Sequence, residues 1–410
     1  MTEKTVAVIG AGAAGLGAAR RLHDAGVTTK VIEARGRLGG RAWTADIAGL
    51  PLDLGCGWLH SADRNPLVAV AEAQGLDIVR HRAPWGGQTG DRGFTRAEQA
   101  AYHEAFGAWE ERMEAAAHQG PDHSGDRLLE PGNRWNRLID AVSTYINGVE
   151  LDGLSVDDYG NYADSGVNWR VREGYGRAIT GLGAGLDVTL GCPVATIDHG
   201  GSRIRIETAK GDMVADAVIV TVPTTMLLDG SLRFTPDLPE KRDAAADLPL
   251  GLADKVLLAL DRPEALPTDG HLFGAVDRVG TGSYHLRPLG RPVVEGYFGG
   301  GLAAELEAGG AAAFAAFAID ELVGLLGADI RPRLSLLTAT AWRADPFARG
   351  SYSYAHPGRV PARPVLAAPV DDRLFFAGEA CSVHDFSTAH GAYKTGLAAA
   401  EQAIAALARG

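Results

Sequence analysis

The stretch TVAVIGAGAAG, residues 5–15, decides the fold of this chain. Its first half, TVAVI at 5–9, is a short apolar run that predicts a buried parallel strand. A glycine-rich turn then leads into an alanine-rich segment that predicts a helix over 14–25, and TKVIEA at 29–34 predicts a second strand. This order of elements predicts a βαβ unit of an α/β fold.

The residues of the glycine-rich turn are typical of a dinucleotide-binding site. Gly10 permits a tight turn, Gly12 lets the backbone approach a pyrophosphate, and Gly15 lets helix and strand pack closely. Ala14 lies at the start of the helix, whose free N–H groups favour phosphate. Glu33 follows Gly15 by 18 residues and is placed to accept a hydrogen bond from a ribose hydroxyl. The turn by itself leaves NAD and FAD equally open.

Composition limits the classes of partner. The chain has 410 residues, of which 46% are hydrophobic and 22% charged, and this predicts a soluble protein of two domains. Its net charge of −12 argues against nucleic acid, because phosphate binding needs clustered lysine and arginine. The same charge is compatible with cationic substrates.

Cysteine use and hydropathy predict a cytoplasmic location. Cys56, Cys192 and Cys381 form no CxxC motif and no disulfide framework, which is typical of a reducing compartment, and no metal site is predicted. We expect no signal segment after Met1, and no apolar run approaches the ~20 residues that cross a bilayer. We therefore expect no membrane partner, and the oligomeric state is left open.

Strand and helix signals recur along the chain in an order that predicts two interleaved domains. Strands are predicted at 186–190, 203–208, 217–223 and from 255 to 260, and helices across an insertion at 95–146 and at 302–327 and 390–408. Strands like those of the first unit return in the middle and at the end of the chain. The first domain is therefore predicted at 1–80, 185–255 and 355–410, and the second at 81–184 and 256–354.

Two further glycine-rich segments, EARGRLGGRAWT at 33–44 and LDLGCGWLH at 52–60, resemble the flavin amine oxidase family of monoamine oxidases, polyamine oxidases and lysine-specific histone demethylases. The resemblance implies an α/β fold in which a Rossmann-like FAD-binding domain of the GR2 type is interleaved with an α+β substrate domain. Arg41 would contact the phosphate region, and Arg37 would be structural. The other residues that would follow the cofactor are Ala34, Arg35, Gly40, Gly57 and Trp58.

The resemblance continues through the middle of the chain. Val194, after Pro193, would hold the adenine with its backbone. Lys255, in LGLADKVLLAL, would correspond to the family's lysine that hydrogen-bonds through a water to flavin N5. From the residues alone, an ammonium at the start of an apolar strand is costly unless its tip finds water or a partner. The alternative is a lysine at a strand end that reaches solvent.

The segment WRADPFARGSYSY at 342–354 resembles the family's aromatic wall around the substrate. Trp342 and Tyr352 would face the flavin, although aromatic residues are also common in ordinary cores. Gly350 stands where monoamine oxidases carry the cysteine that bonds to FAD. The resemblance therefore implies FAD held without a covalent bond.

The segment LFFAGEACSVHDFSTAHGAYKTG at 374–396 would close over the far end of the cofactor. Gly378 and Glu379 end a short strand, with Glu379 placed to bind a ribityl hydroxyl. Ser387 and Thr388 are good N-cap residues for a helix whose N-terminus would favour negative charge on the reduced ring. The segment STAHGA, which contains Thr388, resembles the polyamine oxidase and demethylase branch. His390 would be structural or line the ring edge.

The substrate side of the sequence carries weaker signals. His60 in WLH resembles a histidine in the substrate tunnel of animal polyamine oxidases, although a lone histidine is more often structural. Asp157, Asp158 and Asp164 could meet a distal ammonium, although surface positions are favoured for them.

The resemblance implies an amine oxidase closest to the polyamine oxidase branch. Hydride from the carbon next to a neutral amine would pass to the flavin, the resulting imine would hydrolyse to an aldehyde, and O2 would become H2O2. Three alternatives stay open: a carotenoid desaturase or protoporphyrinogen oxidase of the same superfold, an amine dehydrogenase with another acceptor, and a non-catalytic FAD-bound module.

Overall fold

The computed structural model describes residues 4–409. The helices are α1 (Ala13–Asp24), α2 (Pro66–Ala73), α3 (Arg96–Ala116), α4 (Asn136–Asn147), α5 (Val156–Asn161), α6 (Tyr175–Gly181), α7 (Thr224–Leu228), α8 (Pro239–Ala246), α9 (Gly300–Leu326), α10 (Ala362–Ala367) and α11 (Ala389–Arg409). The strands are β1 (Thr5–Ile9), β2 (Thr28–Ile32), β3 (Thr44–Ile47), β4 (Leu50–Asp53), β5 (Ile78–Val79), β6 (Arg170–Val171), β7 (Val188–Thr189), β8 (Val194–Asp198), β9 (Ile204–Thr208), β10 (Met213–Ala215), β11 (Ala217–Val220), β12 (Arg233–Thr235), β13 (Leu250–Gly251), β14 (Ala253–Leu260), β15 (Gly270–Phe273), β16 (Ser283–Leu286), β17 (Val293–Gly299), β18 (Leu334–Ala339), β19 (Tyr352–Ser353) and β20 (Leu374–Phe376).

The first sheet is parallel and joins the two ends of the chain. Its strand order is β20-β11-β1-β2-β7, so strands from the start, the middle and the end of the sequence lie side by side. Helices α1 and α11 pack together on one face through small buried residues such as Ala18 and Ala400. The smaller sheet β10-β9-β8-β12 packs on the opposite face, where Ile197 and Ile206 are buried.

The second large sheet is antiparallel, in the order β15-β16-β17-β14-β18. One of its faces packs under α9, where Val256, Tyr284 and Phe298 are fully buried among the apolar side chains of that helix. Helices α3, α4 and α5 build a third core around Trp109 and Leu138. The boundaries of the two predicted domains stay a prediction.

Predicted and observed elements agree best where the apolar pattern in the sequence extends over a whole strand or helix. The strand predicted at 5–9 is confirmed as β1, and the helices predicted at 14–25, 302–327 and 390–408 are confirmed within two residues as α1, α9 and α11. The predicted insertion is helical, and α3 begins at a capping box in which Thr95 and Glu98 bond reciprocally. The strand of Lys255 begins two residues earlier than predicted, at Ala253.

One hairpin went unpredicted in the glycine-rich segment 35–60. Strands β3 and β4 pair there with Ala48 and Gly49 between them, at φ of 52° and 75°. Two central residues with positive φ match the right-handed twist of a hairpin, and this turn usually carries Asn-Gly or Asp-Gly. Ala-Gly does not give that signal, so the sequence alone did not indicate the turn.

Helix α9 is the one described helix that is long and apolar enough to cross a membrane by length and composition. It contains Glu305, Glu307, Asp320 and Glu321, and its backbone kinks at Gly310, where φ is 78°. The helix covers the antiparallel sheet with one face, as a core helix of this composition also does. Its length and hydropathy alone therefore do not identify it as a membrane-spanning helix.

A fully buried ion pair ties α5 to α10. Arg363 donates through Nε and one terminal nitrogen to the two carboxylate oxygens of Asp158, each at 2.7 Å, and neither side chain is exposed. Arg363 also donates to Ser353 Oγ at 3.0 Å and lies over the ring of Phe386. The prediction of a surface position for Asp158 is therefore wrong, because its partner is more than 200 residues away in sequence.

We expect Asp158→Ala to lower the free energy of unfolding by about 3–5 kcal/mol, because it leaves a buried guanidinium without a counter-ion. Urea unfolding followed by circular dichroism measures the change. The matched control is Asp320→Ala, whose pair with Arg331 is more than half exposed and is worth at most about 1 kcal/mol. Equal losses in the two variants would contradict the assignment.

Candidate functional site

A cavity of about 970 Å³ runs between the parallel sheet, the antiparallel sheet and the helical insertion. It brings together nearly all of the predicted site residues: Gly10, Gly12, Ala14, Glu33, Ala34, Arg35, Gly40, Arg41, Gly57, Trp58, His60, Val194, Lys255, Trp342, Tyr352, Gly378, Glu379 and Thr388. Gly15 does not line the cavity. Residues from both ends of the chain thus share one continuous wall, while their individual roles stay predictions.

The glycine-rich turn lies at one end of the cavity. Gly10 has φ of 102°, which favours glycine, and a Cβ atom at Gly15 would lie 1.9 Å from the carbonyl oxygen of Gly10. Gly15 therefore serves the close packing of helix on strand, as its position in the motif predicts. Gly12 has no neighbour closer than 3.9 Å to such an atom, so its backbone borders the cavity directly.

Glu33 is the acidic residue beside this turn. It is buried, and its two oxygens accept hydrogen bonds from the backbone N–H groups of Ala11 at 2.7 Å and Arg35 at 2.8 Å. These bonds hold the carboxylate at the cavity wall with lone pairs left for a hydroxyl donor. The guanidinium of Arg35 pairs with Asp345, which brings the segment after β18 to this end of the cavity.

Arg41 and Glu379, predicted as separate cofactor contacts, form one ion pair at 2.9 Å. Glu379 also accepts hydrogen bonds from Ser353 Oγ at 2.6 Å and from the backbone N–H of Ser387 at 3.0 Å. Burial alone would raise the pKa of Glu379, but Arg41, Ser353 and Arg363 outweigh it and lower that pKa. The carboxylate is therefore charged and fixed at the middle of the cavity.

Thr388 caps α11 at the cavity. Its Oγ1 accepts a hydrogen bond from the backbone N–H of Gly391 at 2.9 Å, as an N-cap side chain does. Ser387 is not a cap, because its hydroxyl donates to the carbonyl of Ser353 instead. His390 is buried against Asp385 and lies outside the cavity wall, which favours the structural alternative for this residue.

Lys255 is buried rather than solvated. Its Nζ donates to the carbonyl of Asp53 at 2.8 Å and lies 3.3 Å from Glu295 Oε1. The alternative of a strand-end lysine that reaches solvent is wrong, because the ammonium finds its partners on β4 and β17 inside the protein. Its side chain still borders the cavity.

The sheet around Lys255 presents a polar face that the sequence prediction missed. Besides Lys255, the strands β15, β16 and β17 direct polar side chains into the cavity: His271, Ser283, His285, Glu295 and Tyr297. A signal was present, because polar residues alternate with apolar ones in GHLF, SYHL and VVEGYFG. Short strands with one polar face are also typical of a solvent-exposed sheet, so the pattern alone did not indicate a site.

Aromatic side chains form a cage beside Lys255. The hydroxyl of Tyr352 donates to the carbonyl of Tyr145 at 2.6 Å and lies 3.2 Å from the hydroxyl of Tyr297. Burial raises the pKa of Tyr352 well above its usual range, so the phenol is neutral. Trp58 and Trp85 meet edge to face with ring centroids 4.6 Å apart.

His60 lies at the same side of the cavity. Its Nδ1 is 2.7 Å from the side-chain oxygen of Asn168, and burial lowers the pKa of its imidazole. The ring is therefore neutral at pH 7 and adds no positive charge to the cavity. Its position is compatible with a contact to substrate, which stays a prediction.

The far part of the cavity is acidic. Glu110 and Glu114 on α3 line it together with Asp164, and Tyr159 donates to Glu110 at 3.2 Å. Burial raises the pKa of Glu110, and the neighbouring Glu114 adds to this effect. Asp157, in contrast, accepts from the backbone of His118 and does not line the cavity.

The comparisons with known proteins agree with this geometry. The model of the family described as flavin containing amine oxidoreductase matches residues 13–85 and 107–404. Polyamine oxidase 2 of Arabidopsis thaliana is 30% identical over 97% of this chain and 87% of its own length. Lysine-specific histone demethylase 2 of Homo sapiens is 25% identical over 98% of this chain and 54% of its own length.

The fold is also shared with a solved structure. Wild-type putrescine oxidase bound to putrescine superposes with a TM-score of 0.79 at 20% sequence identity, over 98% of this chain and 99% of that one. The chain belongs to the family of flavin-containing amine oxidoreductases. The predictions of an amine-acting flavoenzyme, of its fold class and of FAD as its cofactor are confirmed.

The cavity fits FAD by its own features. At one end it has a glycine turn open to phosphate and the buried acceptor Glu33. At the other end, the N-terminus of α11 behind Thr388 offers a partial positive charge. Gly350 has no side chain that could bond to the cofactor.

A buried carboxyl group, that of Asp254, accepts a hydrogen bond from the backbone of Trp342, which lines the cavity. Its Oδ1 accepts hydrogen bonds from Thr340 Oγ1 at 2.7 Å and from the backbone N–H of Trp342 at 3.1 Å. Burial raises the pKa of Asp254 to about 7, with Glu307 adding to the effect and Thr340 opposing it. The group is therefore protonated in the folded protein at a pH where it is ionised in the unfolded chain.

We expect the contribution of Asp254 to the free energy of unfolding to fall as pH rises from about 4 to about 7, because the unfolded chain then releases the proton that folded Asp254 keeps. Asp254→Asn does not titrate, so its melting temperature relative to wild type should rise over this interval. Differential scanning fluorimetry at each pH measures both proteins. The control Asp320→Asn should show a constant difference, and a constant difference for Asp254→Asn would contradict the assignment.

Proposed function

We propose that this protein oxidises a di- or polyamine. The observation that carries the proposal is the pair Glu110 and Glu114, which stand one helical turn apart on the cavity side of α3. Two carboxylates at this place favour an ammonium group. They lie on α3, whereas Lys255 lies on β14, so the cavity has an acidic part and a separate part beside Lys255. A substrate with a second positive charge can therefore place one nitrogen in each part.

The wall between these two parts is aromatic. Tyr102, Phe106, Tyr159 and Phe273 border the cavity between the acidic side and the polar sheet face. Aromatic faces attract cations and pack against methylene chains, which are the two components of a polyamine. This lining supports an extended aliphatic amine over a compact aromatic one.

At the reacting end, the chain's own residues orient the amine and exclude water. The neutral phenols of Tyr352 and Tyr297 and the ring of Trp342 enclose a space that disfavours an unpaired charge, so the amine enters it uncharged. FAD, when bound, supplies the acceptor of the hydride from the carbon next to nitrogen. Lys255 holds an N–H donor at this wall, and the α11 N-terminus at Thr388 favours negative charge nearby.

We further propose that O2 is the electron acceptor and that the protein works in the cytoplasm. The O2 proposal is supported by relatives that are named as oxidases. The location is supported by Cys56, Cys192 and Cys381, all of which are free thiols. Another electron acceptor would make the protein an amine dehydrogenase.

Anaerobic mixing with a panel of amines tests the reaction. We expect di- and polyamines to bleach the visible flavin band faster than monoamines of equal chain length, because only they can reach the acidic part of the cavity. Admission of air should restore the band and release H2O2. Bleaching by no amine would contradict the proposal, and slow recovery in air would favour the dehydrogenase.

Glu110→Gln tests the acidic part. We expect the KM for a diamine to rise about tenfold, the equivalent of about 1.4 kcal/mol, while the KM for a monoamine stays unchanged. Steady-state kinetics on the two substrates measure the split. The control is Glu111→Gln, an exposed neighbour on α3 outside the cavity wall. A diamine KM within twofold of wild type in Glu110→Gln would remove this residue from substrate recognition.

A further inference from the structure

The ammonium of Lys255 has a fixed set of partners. One donor goes to the carbonyl of Asp53 at 2.8 Å, and a second faces Glu295 Oε1 at 3.3 Å. A lysine ammonium has three donors, so one remains for the cavity that Lys255 lines. The direction of that remaining donor depends on the two partners that hold the other two.

Strand register explains how Glu295 reaches Lys255. On β14 and β17, Lys255 lies opposite Tyr297 and Leu257 lies opposite Glu295. Residues two apart on a strand share a face, so Lys255 and Glu295 are diagonal neighbours on the face that borders the cavity. A glutamate in the apolar strand VVEGYFG is costly unless it is paired, and here it is paired.

Glu295 is also held from its other side. Arg170 on β6 lies 3.4 Å from Glu295 Oε2, and it donates to His285 Nδ1 at 3.3 Å. The ring of Trp58 covers this guanidinium at 5.0 Å. Burial alone would raise the pKa of Glu295, but the charges of Lys255 and Arg170 outweigh it and bring the pKa to about 2. The carboxylate is therefore charged across the physiological range.

The other groups that face Lys255 do not replace this carboxylate. The carboxylate of Asp53 accepts from Thr44 Oγ1 at 2.5 Å and from the backbone N–H of Tyr175 at 3.3 Å, so its carbonyl alone contacts Lys255. Burial raises the pKa of the Cys56 thiol to about 12, so this neighbour is neutral. Within the described residues, Glu295 is the one carboxylate within 4 Å of the ammonium.

Lys241 shows what burial does without such a partner. Its Nζ donates to the carbonyls of Val365, Leu366 and Ala368, and it has no carboxylate within 4 Å among the residues that the structure describes. Burial lowers the pKa of Lys241 to about 8. Burial thus lowers the pKa of a lysine whose hydrogen-bond acceptors are all carbonyls.

We propose that Glu295 is a positioning residue for Lys255, which keeps the ammonium charged and aims its remaining donor into the cavity. Arg170 completes the arrangement by holding the second oxygen of Glu295. The proposal rests on the amine oxidoreductase activity of the family and is independent of which amine is the substrate.

The direct test is the charge of Lys255 in the FAD-loaded protein. The chain has six lysines, so NMR with lysine labelled by ¹³C at Cε gives few signals, and Lys255→Met identifies the one in question. In Glu295→Gln we expect the Lys255 titration midpoint to fall by at least about one pH unit, a tenfold change in its acid constant. The signal of Lys241 should not move, and an unmoved Lys255 midpoint would overturn the proposal.

Kinetics give a second, separate readout. Lys255 is charged below its pKa, so Glu295→Gln should add an alkaline limb to the pH profile of flavin bleaching, where the rate falls as pH rises. In a Lys255→Met background the same substitution should have no further effect. A loss of rate that is uniform in pH and additive with Lys255→Met would mean that Glu295 is merely structural, and the proposal would be wrong.

Two variants keep the test informative if Glu295→Gln folds poorly. Glu295→Asp retains the charge on a shorter side chain, and we expect the Lys255 titration midpoint to fall less than in Glu295→Gln; an equal fall in both variants would contradict the proposal. Glu321→Gln removes another carboxylate of the same domain, a partly buried one, which accepts from Tyr284 and Gly282 away from the cavity wall. It should lower stability without moving the Lys255 signal, and a shift there would contradict a specific effect of Glu295.

Discussion

The two halves of the cofactor-binding sheet depend on the close contact between helices α1 and α11. A Cβ atom at Gly396 of α11 would lie 2.1 Å from the carbonyl oxygen of Ala14 in α1, and one at Gly17 would lie 2.7 Å from the ring of Tyr393. The two helices therefore meet at distances that only glycine allows. Because Ala14 and Thr388 both line the cavity, this contact sets the distance between the glycine-rich turn and the start of α11.

Three buried ion pairs each join parts of the chain that are distant in sequence. Arg41 meets Glu379, Asp158 meets Arg363, and Lys255 meets Glu295. A buried charge without its partner is strongly destabilising, so each pair fixes the distance between the elements that carry it. Two of the pairs, Arg41 with Glu379 and Lys255 with Glu295, lie in the cavity wall and fix its side chains in place, which is what positioning a reacting carbon requires.

Much of the cofactor half could be predicted because its chemistry needs particular residues in short, continuous segments. Gly10 has the positive φ that its tight turn requires, Gly12 leaves its backbone open to the cavity, and Thr388 caps the helix that begins there. Such requirements are local, and the segments that meet them can be identified without knowing the rest of the fold. The substrate half has no such local requirements, because an acidic side chain on a helix is equally common at a surface and an aromatic one is equally common in a core.

The sequence by itself determined the βαβ start, because this depends on spacing within one segment, and it indicated FAD and the family through a resemblance carried by several short segments. Only the tertiary structure decided that Glu295 faces Lys255, that Asp158 is buried, and that Glu110 borders the cavity. Each of these facts depends on which strand or helix lies across from the residue. Strand pairing and helix docking bring together residues far apart in the chain, and no pattern within either segment records its partner.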